Sequence, residues 1–230
     1  MWVAHGDKAA AREEEKLEDA DPPWDSSLPP VLLAGLKRSG CERPTPIQSA
    51  LWQQYRQQQQ RGAGSYVITA PTGVGKTVAF LLPPVAALLE HSGGGDERPS
   101  PLLPPPLPDR PSILVLAPTR ELVVQIHREA AALSCVWQEE QEAEEQSREQ
   151  LALKEGWLRA ACLYGGVPTY HQRRLLERGV HLLVATPGRL LDILRLGRAS
   201  LGAAAWVVLD EYDRLLTPPL REWVGLDACP

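Results

Sequence analysis

The residues with the most chemistry to offer are Ala70-Pro71-Thr72-Gly73-Val74-Gly75-Lys76-Thr77, which follow a short apolar run and precede an apolar helical pattern. Gly73 and Gly75 leave the backbone bare, so its N–H groups can turn inward without obstruction. A helix starting there adds the partial positive charge of its N-terminus. The result is a cradle for a chain of phosphates. Lys76 can reach the outer phosphates, and the Thr77 hydroxyl can ligate Mg²⁺. The strict phosphate-loop pattern has glycine where this chain has Ala70, and a plain glycine-rich strand–helix turn is the other reading. Further along, Trp206-Val207-Val208-Leu209 delivers two adjacent carboxylates, Asp210 and Glu211, at the end of an apolar run. Asp210 could hold the hydration shell of Mg²⁺, and Glu211 could orient or deprotonate an attacking water. Taken alone, such a pair is equally well a helix N-cap.

These groups need a scaffold. Short apolar runs alternate with helical patterns at Tyr66–Ala70, Ile113–Ala117, Ala160–Tyr164, His181–Ala185 and Trp206–Leu209. Each is apolar enough to be buried on both faces, which predicts parallel strands with a helix in each crossover. The fold class expected is α/β, a mostly parallel sheet with helices on both faces. Upstream, Ser27 ahead of Val31, Leu32, Leu33 and Leu36 predicts a capped helix ending at Gly40. Thr45-Pro46 opens a second, with Ile47, Leu51 and Tyr55 at helical spacing until Gly62-Ala63-Gly64.

The first 23 residues are charged and weakly patterned, and they read as an acidic mobile tail. Residues 24–230 read as one domain with two insertions. The first, about 92–111, passes from Ser92-Gly93-Gly94-Gly95 into proline-rich sequence; the second, about 137–150, is dominated by Gln and Glu. No internal repeat is visible.

A net charge of −5 argues against a nucleic-acid partner only until it is divided along the chain. Residues 7–25 hold eight acids against three bases, and residues 139–150 six against one, so the remainder carries +5. No apolar run approaches the ~18 residues of a spanning helix, and the N-terminus lacks the apolar core of a secretory signal. The four cysteines lie far apart, with no CxxC pair, which points to a reducing intracellular compartment (cytoplasmic, nuclear or within an organelle) and no zinc site. The five histidines form no ligand motif or catalytic triad.

Together with the phosphate loop and Asp210-Glu211, four further motifs make the chain resemble the DEAD-box ATP-dependent RNA helicases. Pro118-Thr119-Arg120-Glu121-Leu122 resembles motif Ia, Gly165-Gly166 the GG motif, and Thr186-Pro187-Gly188-Arg189 the TPGR motif. Arg43-Pro44-Thr45-Pro46-Ile47-Gln48 is similar to the Q motif, with Trp24 near the place of its upstream aromatic. Order and spacing agree from about residue 24 to 213, allowing for the two insertions.

The resemblance implies the first RecA-like domain of an ATP-dependent RNA-remodelling enzyme using ATP and Mg²⁺. It implies that Thr72–Thr77 hold the nucleotide, that Thr77 and Asp210 hold the metal, and that Lys76, Asp210 and Glu211 are catalytic. Adenine would be recognised by Trp24, Arg43 and Gln48, whose amide can donate and accept at once. RNA would lie on Pro118, Thr119, Arg120, Gly165, Gly166 and Thr186–Arg189, where helix starts present free N–H groups to phosphate. Asp213 would couple these motifs.

Three departures stand out. The family's DEAD reads Asp210-Glu211-Tyr212-Asp213, which places a large aromatic where a small residue is expected to pack tightly. Cys41 stands where an aromatic is usual. The Ser-Ala-Thr motif and a second RecA-like domain, which would supply an arginine finger, are not among the 230 residues. The chain alone is therefore expected to turn over ATP weakly or not at all. The alternative to a helicase is a truncated nucleotide- and RNA-binding module; another P-loop ATPase would leave Gln48, PTREL and TPGR unexplained.

Overall fold

The computed structural model describes residues 23–59, 64–92, 106–134 and 158–216. The expected N-terminal tail, most of the first insertion and all of the second lie outside them.

Four strands form the sheet: β1 (Ile113–Leu116), β2 (Ala160–Leu163), β3 (Leu182–Ala185) and β4 (Trp206–Leu209). Their order is β2-β3-β1-β4, and every pairing is parallel. Seven helices accompany them: α1 (Pro30–Arg38), α2 (Pro46–Gln58), α3 (Lys76–Ser92), α4 (Arg120–Ser134), α5 (Thr169–Glu177), α6 (Pro187–Arg195) and α7 (Tyr212–Leu215).

Side chains of a strand alternate between faces, and two separate apolar layers result. On one face Ile113, Val115, Leu182 and Val184 pack with Leu32, Leu36, Trp52, Leu81, Val85 and Ile126 from α1 to α4. On the other, Leu114, Leu116, Leu183 and Ala185 pack with Leu176, Leu190, Ile193 and Leu215 from α5 to α7. Each fully buried aliphatic side chain contributes about 1.5–3 kcal/mol. The expectation of a parallel sheet covered on both faces holds.

Two local expectations do not. Tyr66–Ala70 forms no strand and pairs with none among the described residues. Its Tyr66 and Ile68 pack into the same layer as Trp206 and Val208, yet β4 ends the sheet and no backbone ladder joins the two. The apolar pattern reports burial, whereas a strand also requires a neighbour. Burial on both faces, expected of every run, also fails for β4: its side chains alternate between half-buried and exposed, with Val207 58% exposed.

The second correction concerns Ser27. α1 starts at Pro30 with Pro29 at the N-cap and no side-chain cap; Ser27 lies two residues ahead of that position, and its hydroxyl accepts the Trp52 indole N–H at 3.2 Å. The C-terminal part of the first expected insertion is tied down: Asp109 donates its N–H to the Leu176 carbonyl (3.0 Å) and accepts from Ser200 (2.9 Å).

Candidate functional site

Because the strands run one way, the segments leaving their C-terminal ends share one edge, where open α/β sheets place ligands. β1 runs into Pro118-Thr119-Arg120, β2 into Tyr164-Gly165-Gly166, β3 into Thr186–Arg189 and β4 into Asp210-Glu211.

The loop ahead of α3 is built as its sequence requires. Gly73 and Gly75 have φ of 82° and 84°, a region that costs other residues about 1–2 kcal/mol. A Cβ on Gly75 would also lie 2.5 Å from Gln48 Nε2. The start of α2 is stapled to this loop. The Thr45 hydroxyl donates to the Val74 carbonyl (2.9 Å), and Gln48 Nε2 donates to the Gly75 carbonyl (3.2 Å). Gln48 Oε1 accepts the Thr45 N–H (2.9 Å), so both ends of this buried amide are engaged. Lys76 curls back, its Nζ donating to the Ala70 carbonyl at 2.7 Å. Thr72 and Gly73 are exposed, whereas Val74 and Thr77 are half-buried.

Asp210 extends the sheet by one bond, its N–H reaching the Leu116 carbonyl at 2.9 Å. Burial raises its carboxyl above the usual carboxylate range. The Glu211 N–H, which donates to Asp210 Oδ1 at 3.0 Å, opposes this, the Glu211 charge adds to it, and Lys76 opposes it. Lys76 and Asp210 are thus within electrostatic reach. Glu211 adopts φ 47°, ψ 49°, a left-handed conformation rare for a side-chain-bearing residue. Its carboxylate is held by Arg214 at 2.7 Å.

A carboxyl whose folded-state pKa lies above its unfolded value favours folding most while protonated. That advantage is complete below the unfolded value, here 3.8, and is lost as pH rises through the folded one. Asp210→Asn, which keeps the acceptor and removes the charge, is therefore expected to raise the melting temperature at about pH 7 and to change it little at about pH 3. Thermal melts at the two pH values check this; an equal shift at both would contradict it.

Tyr212 does not crowd the site as its size suggested. It is 49% exposed, and Asp213 beside it is exposed as well. A residue that no motif includes bears on this region: burial raises the carboxyl of Glu129 on α4 above the usual carboxylate range, Gln125 and Thr77 oppose this, and the charge of Asp210 adds to it. Its only sequence signal is a partner one turn earlier, Gln125, which donates to it at 3.1 Å.

At the other end of the edge, the Arg120 guanidinium lies 4.9 Å over the Tyr164 ring. Thr119 Oγ1 accepts the Leu122 N–H (3.3 Å), capping α4 as expected. Thr186 occupies the N-cap of α6 with Pro187 at the first helical position, but its hydroxyl makes no cap bond. Arg189 instead ties α6 to α5, donating to Thr169 Oγ1 at 2.8 Å. Trp24 and Arg43 line a cavity of about 430 Å³ with Pro23, Leu33, Lys37 and Glu42. Neither Gln48 nor the 71–77 loop lines it. Trp24 is itself nearly buried, its indole N–H on the Cys41 carbonyl at 2.8 Å.

Among the described residues no group of three or more His, Cys, Asp or Glu could hold a metal, and no helix is long and apolar enough to cross a membrane. The lone donors Thr77 and Asp210 suit Mg²⁺, which binds through one or two protein ligands and completes its shell with phosphate and water.

The model of the DEAD/DEAH box helicase family matches residues 45–224. The chain is 37% identical over 203 residues to the DEAD-box ATP-dependent RNA helicase 52A of Oryza sativa subsp. japonica, covering 86% of this chain and 30% of that protein. It is 35% identical over 192 residues to the ATP-dependent RNA helicase DBP2 of Eremothecium gossypii, covering 84% and 28%. Among solved structures it resembles the yeast DEAD-box splicing factor Prp28, with a TM-score of 0.67 at 27% identity, over 89% of this chain and 42% of that one. The chain thus spans under a third of the length of these curated relatives. On the sequence match and the fold together, this chain belongs to the DEAD/DEAH box helicase family.

Proposed function

We propose that this chain is the nucleotide-binding half of an RNA-remodelling ATPase of the helicase type, binding ATP with Mg²⁺ at the 71–77 loop and RNA along the same sheet edge. Family membership implies the use of ATP, and the relatives' names supply the RNA. The observation that carries the reading is the 71–77 loop itself: Gly73 and Gly75, both at positive φ, leave its backbone bare where α3 begins, and the start of α2 is stapled to it.

In this reading Thr72–Thr77 wrap the phosphates with backbone N–H groups, and Lys76 leaves the Ala70 carbonyl to meet them. Thr77 and Asp210 would hold Mg²⁺, which when bound neutralises charge on the outer phosphate oxygens. Glu211 positions water once Arg214 releases it, a small cost for an exposed ion pair. Asp213 couples this pair to the rest of the edge. RNA sugar and phosphate would lie on Pro118–Arg120, Gly165-Gly166 and Thr186–Arg189, so affinity would fall with salt and ignore base sequence. Trp24 and Arg43 would form the adenine end.

Lys76→Ala removes a charge-assisted contact worth about 1.5–3 kcal/mol and is expected to weaken ATP binding by roughly 10- to 100-fold in calorimetry. Unchanged affinity would overturn the site. Gln48→Ala separates two roles. Loss for ATP alone means that the amide exchanges its partners for the adenine edge; equal loss for ATP and GTP means that it acts only by holding the loop.

A further inference from the structure

The motifs account for one edge of the sheet and leave the other unread. All four strands run the same way, so the segments that enter them share the edge opposite the motifs. Four arginines stand there outside every motif. Arg159 immediately precedes β2, and its guanidinium donates to the carbonyl of Arg178, the C-cap of α5, at 3.3 Å. Arg110 lies on the way into β1, and its neighbour Asp109 donates its N–H to the Leu176 carbonyl at the end of α5 (3.0 Å). Arg198 follows α6, two residues before Ser200, whose N–H reaches the Asp109 carbonyl at 2.9 Å. These hydrogen bonds fasten the four arginine-bearing segments together, and all four arginines are exposed. Arg174 and Arg195, in the last turns of α5 and α6, add charge at the same end.

Arginine in the last turn of a helix is ordinary, because it meets the negative end of the dipole. That accounts for Arg174 and Arg195, but not for Arg110, Arg159 and Arg198, which lie on no helix. Nor is the positive charge balanced. Glu177 is taken by Arg173 at 2.8 Å, and Asp109 is half-buried and in no ion pair among the described residues. The planar fork of arginine suits phosphate oxygens, and the absence of acidic partners leaves those forks available. We propose that this edge is a second nucleic-acid surface. It holds the sugar–phosphate backbone of a stretch of RNA apart from the one at the motifs, by charge and without reading bases. That the polyanion is RNA rests on the reading above; the surface itself does not.

The test is fluorescence anisotropy of a short labelled oligouridylate with the 230-residue chain, repeated over a range of salt concentrations. Wild type is compared with Arg110→Gln, Arg159→Gln and Arg198→Gln combined, and with the same three positions changed to lysine. The glutamine variant is expected to bind roughly 10- to 100-fold more weakly at about 0.1 M salt, with the log–log salt slope reduced by about 2. Lysine keeps the charge and should keep most of the slope. Arg110→Gln with Arg198→Gln alone leaves the Arg159 hydrogen bond in place, so it guards against a folding defect, and should reduce the slope by about 1.4. Unchanged affinity and slope in both glutamine variants would overturn the proposal. So would a labelled polyglutamate that loses its binding in these variants while RNA binding persists, which would assign the edge to an acidic protein. Arg120→Ala separates this surface from the motif edge. If it weakens RNA binding and the arginine-edge variants do not, the motif edge stands and this surface falls; the reverse pattern upholds this surface and removes Arg120 from the other. Wild-type protein that binds no RNA would overturn both.

Discussion

Purified as it stands, the 230-residue chain is expected to bind ATP and yet hydrolyse it about 10³–10⁵-fold more slowly than when completed by a second RecA-like domain. Phosphoryl transfer is mainly positioning and charge stabilisation, and that factor is what an arginine finger contributes. The described arginines along this edge already have partners. Arg120 lies over Tyr164, Arg189 is on Thr169, and Arg214 is on Glu211. The cation that reaches Asp210 is Lys76, which the nucleotide itself would engage. Steady-state ATPase assays with and without RNA check the expectation, first on the chain alone and then with a second domain supplied in cis or as a separate polypeptide. Stimulation by RNA should appear only in the completed protein. Rapid RNA-stimulated turnover by the isolated chain would require an arginine from within it or from a second copy.

Trp52→Ala should cost about 3–5 kcal/mol of stability, a large share of the 5–15 kcal/mol typical of a whole domain. Trp52 is among the largest fully buried side chains. Its ring is 5.3 Å from Tyr55, which in turn lies 6.0 Å from Trp206 of β4 and donates its hydroxyl to Glu90 of α3. The indole therefore supports Tyr55, which joins α2 to both the sheet and the helix that starts at the phosphate loop. Truncation leaves a cavity and strips the Ser27 hydroxyl of its donor. Chemical denaturation should show a lower midpoint with an unchanged slope, and excess ATP should restore part of the loss by mass action. A loss under about 1 kcal/mol would mean that the surrounding side chains collapse into the space.

What could be read from the sequence was whatever local pattern determines. Thr45-Pro46 and Thr186-Pro187 mark helix starts because a proline at the first turn gives up only an N–H that has no helical partner there. Four of the five apolar runs became strands; for β1, β2 and β3 burial on both faces and parallel pairing go together, whereas β4 pairs with one face exposed. Tyr66–Ala70 has the same composition, but pairing depends on what lies alongside, and composition carries no record of a neighbour. Ser27 failed as a cap because the helix begins only at Pro30, with Pro29 in the cap position. Tyr212 was judged by volume, yet it faces out. Glu129 was out of reach for a related reason: which residue of α4 feels the charge of Asp210 depends on how the helices pack on the sheet, not on the spacing within α4.

The open side of β4 has a consequence for how the chain behaves in company. Among the described residues no strand pairs with its far side, and an unpaired edge beside the exposed Val207 and Leu209 is one on which another backbone could add a strand as protein concentration rises. The same edge ends at Asp210, so any strand that docks on it stops beside the carboxylate assigned to the metal. Self-association and ligand binding then draw on the same few ångströms of chain. Protein concentration becomes a variable of the chemistry as well as of solubility.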